Sequence, residues 1–380
     1  MVLAPGFENR IGEQIEALHA TLRAEFPAID RVAVALYDPE TDLLRTFAQS
    51  TVGGSPLAFY DATLEEVVSL KDLAARGGVR VLNDLALEIW NGSHHSQKLL
   101  EKGYLSSLTR PFYESGSLRG FLFFDAVARD YFQPATVRRL EVYSNLATLL
   151  VLGSLATARV LRAAVRMAGH IGQVRDRETG AHISRVSRYA KAIATGLAWE
   201  FGLTDEWIEF LCLFTPLHDI GKIGIPDHIL LKEGPLSPEE FEVMRTHVAK
   251  GVELVDALAR EFGVERLPQL SILRNIVQCH HERVDGGGYP RGLHGGQIPL
   301  EARIVTVADV YDGLLSPRPY KPAWTEDRVL DFMRDRAGTH FDSACVASLL
   351  GQWERLRAIR ERFVEDGPGE ATHEAYMPEL

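Results

Sequence analysis

From residue 178 onward the chain carries eight candidate ligands for divalent cations: Glu178, His182, His218, Asp219, His247, His280, His281 and Asp309. The tightest grouping is His218-Asp219, followed by Ile220-Gly221-Lys222. It sets a nitrogen ligand, a potential bridging carboxylate and a cation within a few residues. That combination suits metal-assisted attack of water on a phosphodiester, with His218, Asp219 and Lys222 as the catalytic candidates. His247 shares its helical face with apolar residues, His280 lies on an apolar stripe with His281 beside it, and Asp309 follows Val305, Val307 and Ala308. Glu178 and His182 are one helical turn apart.

A single inward histidine is more often a satisfied core residue than a ligand. The bland reading fails for the set, because ionised carboxylates buried without partners cost several kcal/mol each, by an order-of-magnitude reckoning. Divalent cations resolve the conflict. Mixed imidazole and carboxylate ligation suits iron or manganese, and also zinc. Cys212, Cys279 and Cys345 form no paired thiolate motif, which argues against a structural zinc site. Two or three cations roughly 3.5–4 Å apart can share a carboxylate, and Asp219 is the best-placed bridge. Asp285-Gly286-Gly287-Gly288-Tyr289-Pro290 lies between ligands and could bring backbone and a flat ring close to a bound molecule; alone it reads as a flexible turn. Arg318 and Lys321 could grip phosphate oxygens; alone they read as a solvated basic turn.

The elements that must position these residues show in the apolar periodicity. With 380 residues, the chain is long enough for two or three domains. Its net charge of -11, with acids and bases interleaved, argues against bulk DNA, RNA or anionic-lipid binding. No signal-peptide pattern is read at the N-terminus. The longest apolar run, Leu146 to Ala158, is too short to span a bilayer, and the three cysteines suit reduced thiols in the cytoplasm. Residues 9–26 read as a helix, 32–37 with 43–48 as a hairpin, and 63–75 as a helix capped by Thr63 with Glu66. A strand is expected at 79–82, and a second hairpin at 105–113 with 120–127. His94-His95 reads as a solvated turn. One long helix covers 134–168, its apolar stripe packed on its own domain or on a second copy of the chain. Beyond residue 170 the pattern is almost wholly helical, with a helix starting at Ser237-Pro238-Glu239-Glu240.

Taken together, the motifs over about 175–345 resemble the HD-GYP family of the HD superfamily of metal phosphohydrolases. The segments are Arg175–His182, Leu217–Pro226 with the His-Asp pair, His280–Arg283 through Gly288-Tyr289-Pro290, and Ala308–Asp312 with Arg318–Lys321. The resemblance implies a bacterial phosphodiesterase that opens cyclic di-GMP to pGpG and often on to GMP. It implies the ligand set given above, with Glu178 supporting a third cation, so a trinuclear iron or manganese site is favoured. It also implies that Lys222, Arg318 and Lys321 hold phosphates, with Gly288 and Tyr289 at a guanine or its phosphate. Two departures, Gly313 in Asp312-Gly313-Leu314 and Pro317 before the Arg-Pro-Tyr, are expected off the metal shell.

The N-terminal region resembles a GAF domain on Gly120–Asp125 and Tyr131-Phe132, with no residue that identifies a ligand. The expected fold is a multidomain α+β protein: a GAF-like α/β sensor domain over 1–133, a connecting helix over 134–168, an all-α HD-type bundle over 169–365 and a flexible tail over 366–380. The implied partners are cyclic di-GMP, a second copy through the connecting helix, a diguanylate cyclase and a small GAF ligand. Alternatives are an enzyme for another cyclic dinucleotide, such as cyclic GMP-AMP, or an idle receptor that binds nucleotide or a partner protein.

Overall fold

Val32, Ala33, Val34 and Ala35 are consecutive small apolar residues, and all four are buried. A strand buried at successive positions must be covered on both faces. That strand, β1 (Ile29–Asp38), lies inside a six-stranded antiparallel sheet. A computed structural model of the chain describes residues 11–363, apart from 40–41, 53–60, 89–93, 174–179, 233, 266 and 317–322. The chain divides into two compact units, Met1–Thr157 and Ala158–Leu380.

The first unit opens with α1 (Ile11–Glu25), whose buried face of Ile11, Ile15, Leu18 and Leu22 packs on the sheet. β1 and β2 (Leu43–Thr51) form the expected hairpin. β3 (Asp61–Thr63), α2 (Val68–Arg76), β4 (Arg80–Leu82), α3 (Leu85–Glu88) and α4 (His94–Glu101) follow. The second hairpin pairs β5 (Ser106–Glu114) with β6 (Ser117–Ala126). Strand order is β3-β2-β1-β6-β5-β4. One face carries an apolar cluster of Ala33, Ala35, Phe121 and Phe123 against Leu70 and Leu73 of α2. Within the sheet, Arg31 is buried and donates to Asp125 at 2.6 Å, while Ser107 Oγ donates to the other oxygen of Asp125 at 2.6 Å.

Two local expectations change. Thr63 and Glu66 do exchange the reciprocal capping bonds, but they close a turn after β3, and the helix starts only at Val68. β3 pairs with β2 through Thr63, so the residue that would have capped a helix ends a strand. His94-His95 opens α4 rather than sitting in a turn.

α5 (Pro134–Gln173) is one helix of 40 residues. Leu140, Ser144, Ala147, Val151 and Leu155 make its buried stripe at helical spacing. Val142, Leu146 and Leu149 lie off that stripe and are exposed.

Helices build the second unit: α6 (Gly180–Phe201), α7 (Asp205–Phe214), α8 (Asp227–Leu230), α9 (Pro238–Arg245), α10 (His247–Glu261), α11 (Leu270–Cys279), α12 (Leu300–Leu315), α13 (Glu326–Asp335), α14 (Ser343–Gly351) and α15 (Trp353–Arg362). The Ser237 start is a complete capping box with Pro238 in the first turn. α6 is the hub, packing against α7, α12, α14 and α15. Among the described residues no helix is long and apolar enough to cross a membrane.

Candidate metal centre

α7 ends at Phe214 and gives way to two 3-10 turns, Thr215–Leu217 and Ile220–Gly224. His218 and Asp219 sit between those turns. The second turn lies directly on α10, because a Cβ at Gly221 would come 1.8 Å from the carbonyl oxygen of His247. Glycine is the only residue that permits this approach, which sets the His-Asp pair against His247 at the head of α10. His280 caps the C-terminus of α11 rather than lying within it. α12 fastens that end by Thr306 Oγ1 donating to the His280 carbonyl at 2.6 Å, and carries Asp309 one turn further on.

Two groups of ligand-type atoms result: Asp219, His247, His280 and His281, and beside them His182, His218 and Asp309. The Asp219 carboxylate spans the boundary. Its Oδ1 lies 3.1 Å from His247 Nε2 and 3.3 Å from His280 Nε2, and its Oδ2 lies 3.4 Å from His218 Nε2. In the second group Asp309 Oδ1 is 3.5 Å from His182 Nε2 and 3.8 Å from His218 Nε2.

The protonation pattern follows from the backbone. His218 Nδ1 is 3.0 Å from the Thr215 carbonyl, His247 Nδ1 2.7 Å from that of Met244, and His280 Nδ1 3.0 Å from that of Ile276. A carbonyl only accepts, so each Nδ1 carries the hydrogen and each neutral ring turns its Nε2 lone pair inward. Those three Nε2 atoms are buried and make no hydrogen bond among the described residues. Lone pairs facing carboxylate oxygens at such distances repel unless a cation stands between them. Burial pushes the His280 imidazole below its ordinary value and His281 well below it, so a proton is a poor candidate for that cation at His280. Burial alone would raise the Asp219 carboxyl, but the Lys222 ammonium beside it holds it well below the usual carboxylate range. The donor set thus fits divalent cations on charge, tautomer and burial.

Lys222 is buried with its Nζ 2.7 Å from Asp219 Oδ2, at the edge of the cluster. Glu178, Arg318 and Lys321 lie outside the described residues. Gly288 packs tightly on the chain itself, since a Cβ there would meet the Arg283 nitrogen at 2.3 Å. Tyr289 lies over His281 with ring centroids 4.6 Å apart.

Two further carboxylates shape the centre, and sequence reasoning gives no role to the first of them. Asp312 is buried on α12 and accepts from His182 Nδ1 at 2.7 Å and from Arg185 Nε and Nη2 at 2.6 and 2.8 Å. It fixes the His182 tautomer so that Nε2 faces Asp309. Its spacing of three residues from Asp309 was the available signal, since both then share one helical face. Glu282, in the His-His-Glu run, is buried but turned away from the cluster; it accepts from the backbone of Arg291 and Leu293 at 2.8 and 2.9 Å and so folds the glycine loop.

Comparison with known proteins agrees with this geometry. A cyclic di-GMP phosphodiesterase of Vibrio cholerae is 41% identical over 241 residues, covering 59% of this chain and 49% of that protein. The cyclic di-GMP phosphodiesterase response regulator RpfG of Xanthomonas campestris is 44% identical over 191 residues, covering 50% and 48%. A 3'3'-cGAMP-specific phosphodiesterase 2 of Vibrio cholerae is 38% identical over 188 residues, covering 50% and 34%. The chain spans about half or less of the length of these curated relatives. Among solved structures, the phycocyanobilin-bound GAF domain of a cyanobacterial phytochrome matches 39% of this chain and 88% of its own, at 19% identity and a TM-score of 0.31. The model of the HD domain matches residues 163–345, which contain every member of both groups. Over that region, just under half of the chain, the sequence is similar to the HD domain family.

Proposed function

We propose that the second unit is a metal-dependent phosphodiesterase that hydrolyses cyclic di-GMP to pGpG and on to GMP, under control of the first unit. The observation that carries this reading is the Asp219 carboxylate set among the buried Nε2 atoms of His218, His247 and His280, which make no hydrogen bond among the described residues. Asp219, His247, His280 and His281 would hold one cation, and His182, His218 and Asp309 a second, bridged by Asp219. Glu178 would add a third, and the mixed nitrogen and oxygen donors favour iron or manganese. Bound there, such ions supply Lewis-acid polarisation of the phosphodiester and activation of water.

The chain's own residues do the rest. Backbone carbonyls and Asp312 fix the imidazole tautomers. Lys222 places a buried positive charge beside Asp219, where it can meet a phosphate oxygen, and Arg318 and Lys321 would grip the same diester. Gly288 and Tyr289 belong to the loop at the cluster's rim. The first unit would act as a GAF-like sensor for a small ligand. The exposed Val142, Leu146 and Leu149 support a homodimer through α5, and a diguanylate cyclase would be a further partner. The domain limits proposed with this reading are 1–133, 134–168, 169–365 and 366–380.

A test incubates the manganese-loaded protein with cyclic di-GMP and separates the products. The wild type is expected to give pGpG, and His218→Ala and Asp219→Ala to give none while keeping the wild-type circular dichroism. Full turnover by either variant with metal bound would defeat the mechanism. Relatives named for 3'3'-cGAMP support a second reading, an enzyme for that dinucleotide. Competition between the two substrates separates the readings by their kcat/KM ratio.

A further inference from the structure

The clustered histidines are not all aimed in the same way. His218, His247 and His280 are each fixed by Nδ1 on a backbone carbonyl, and His182 by Nδ1 on Asp312. His281 makes no side-chain hydrogen bond among the described residues. Its ring instead lies nearly parallel to that of Tyr289, with centroids 4.6 Å apart and planes at 23°. The Tyr289 ring is itself held, with the Arg245 guanidinium 4.7 Å from its centroid and Phe241 edge-on at 6.1 Å. The backbone builds the same pairing. Tyr289 N donates to the His281 carbonyl at 3.1 Å, and Gly288 lets the loop fold back against Glu282 and Arg283. Arg245 and Phe241 sit on α9, just ahead of His247 on α10, so one short stretch of chain supplies both a cluster member and the clamp on its neighbour.

We infer that Tyr289 is a positioning residue for His281: its ring, clamped by Arg245 and Phe241, fixes the plane of the one clustered histidine that no hydrogen bond fixes among the described residues. An imidazole turns broadly about its last side-chain torsion unless something sets it. A stacked aromatic plane does set it, and offset stacking at this separation is a favoured geometry. Stacking also leaves the choice of His281 nitrogen open, whereas the other four rings are committed to Nε2. On this account Tyr289 serves the cations rather than a guanine, and its hydroxyl is dispensable for that task.

The inference rests on reading His281 as a metal ligand, and the experiment separates the two claims. Full-length protein stripped with chelator is titrated with Mn²⁺ alone, against a competing indicator, and thermal unfolding of each stripped variant reports on folding. His281→Ala should lower Mn²⁺ affinity or stoichiometry; if it changes neither, the ligand reading falls. Tyr289→Leu should lower Mn²⁺ affinity roughly 10–100-fold, the range for partners that orient a ligand. Tyr289→Phe and Tyr289→Trp, which keep a plane over His281, should hold the wild-type affinity. Tyr289→Met is the second probe should the leucine variant not fold. The inference alone is overturned if Tyr289→Leu leaves Mn²⁺ binding intact and raises only the KM for cyclic di-GMP. It is equally overturned if Tyr289→Phe loses as much affinity as Tyr289→Leu, because the hydroxyl would then be what matters.

Discussion

Asp312 serves two partners with one carboxylate. It holds His182 by its Nδ1 and neutralises Arg185, which is only 5% exposed. Removing one member of a buried ion pair leaves the other charge uncompensated, which costs about 3–5 kcal/mol. Asp312→Ala should therefore lower stability by about that amount in urea unfolding of the metal-free protein, and also lower metal content by elemental analysis. A variant with wild-type stability and full metal content would remove Asp312 from both roles. At this scale the residue types of the cluster were legible, because histidines and acids at apolar positions have few other uses. The hydrogen-bonded partners behind them were not. An aspartate in an apolar helix gives no sign in sequence of which ring it meets, and His281 gives none that a tyrosine eight residues on will cover it.

At the scale of elements, caps were read well where one end of a helix decided the matter and badly where tertiary pairing did. Ser237 with Glu240 starts α9 as its pattern dictates, but the same pattern at Thr63 and Glu66 closes a turn because β2 claims Thr63 as a strand partner. Asp342 shows what such a cap does to pH dependence. Its side chain accepts from Ala344 N and Cys345 N at the head of α14 and pairs with Arg303 at 2.5 Å. Burial would raise its carboxyl, but the Arg303 hydrogen bond and the helix-end amides outweigh it and hold it below the usual value. A carboxyl depressed in the folded state adds stability above its unfolded pKa and loses it as pH falls through the folded one. Asp342→Asn should thus flatten the fall of stability below about pH 4. Unfolding midpoints from pH 7 down to 2.5 would check it, and an unchanged slope would count against the cap.

For the whole molecule, α5 is the element shared by both compact units, beginning in one and ending in the other. Its buried stripe answers where the apolar pattern packs in the first unit. Val142 and Leu149 remain 70% and 68% exposed on the same helix. If they form the proposed dimer seam, Leu149→Glu should shift the full chain from dimer to monomer in sedimentation velocity. A wild type that is monomeric at micromolar concentration would remove the seam. This exposure could not be read from the sequence, because both stripes of α5 are apolar and only packing in the fold decides which one is covered.

The strand order has a consequence for biosynthesis. β1 pairs with β2 on one side, but its other side belongs to β6. During translation the hairpin of β1 and β2 emerges early, with Val32 to Ala35 exposing apolar side chains and an open row of amides and carbonyls. Nothing in the chain can close that row until Ser117–Ala126 leave the ribosome. An unpaired apolar edge is a template for pairing with another chain, and the long wait for the sixth strand slows closure by raising the sequence separation of the contacts required. The nascent first unit is therefore most prone to aggregate in the interval between its second strand and its sixth, when a holding chaperone would do most to protect it.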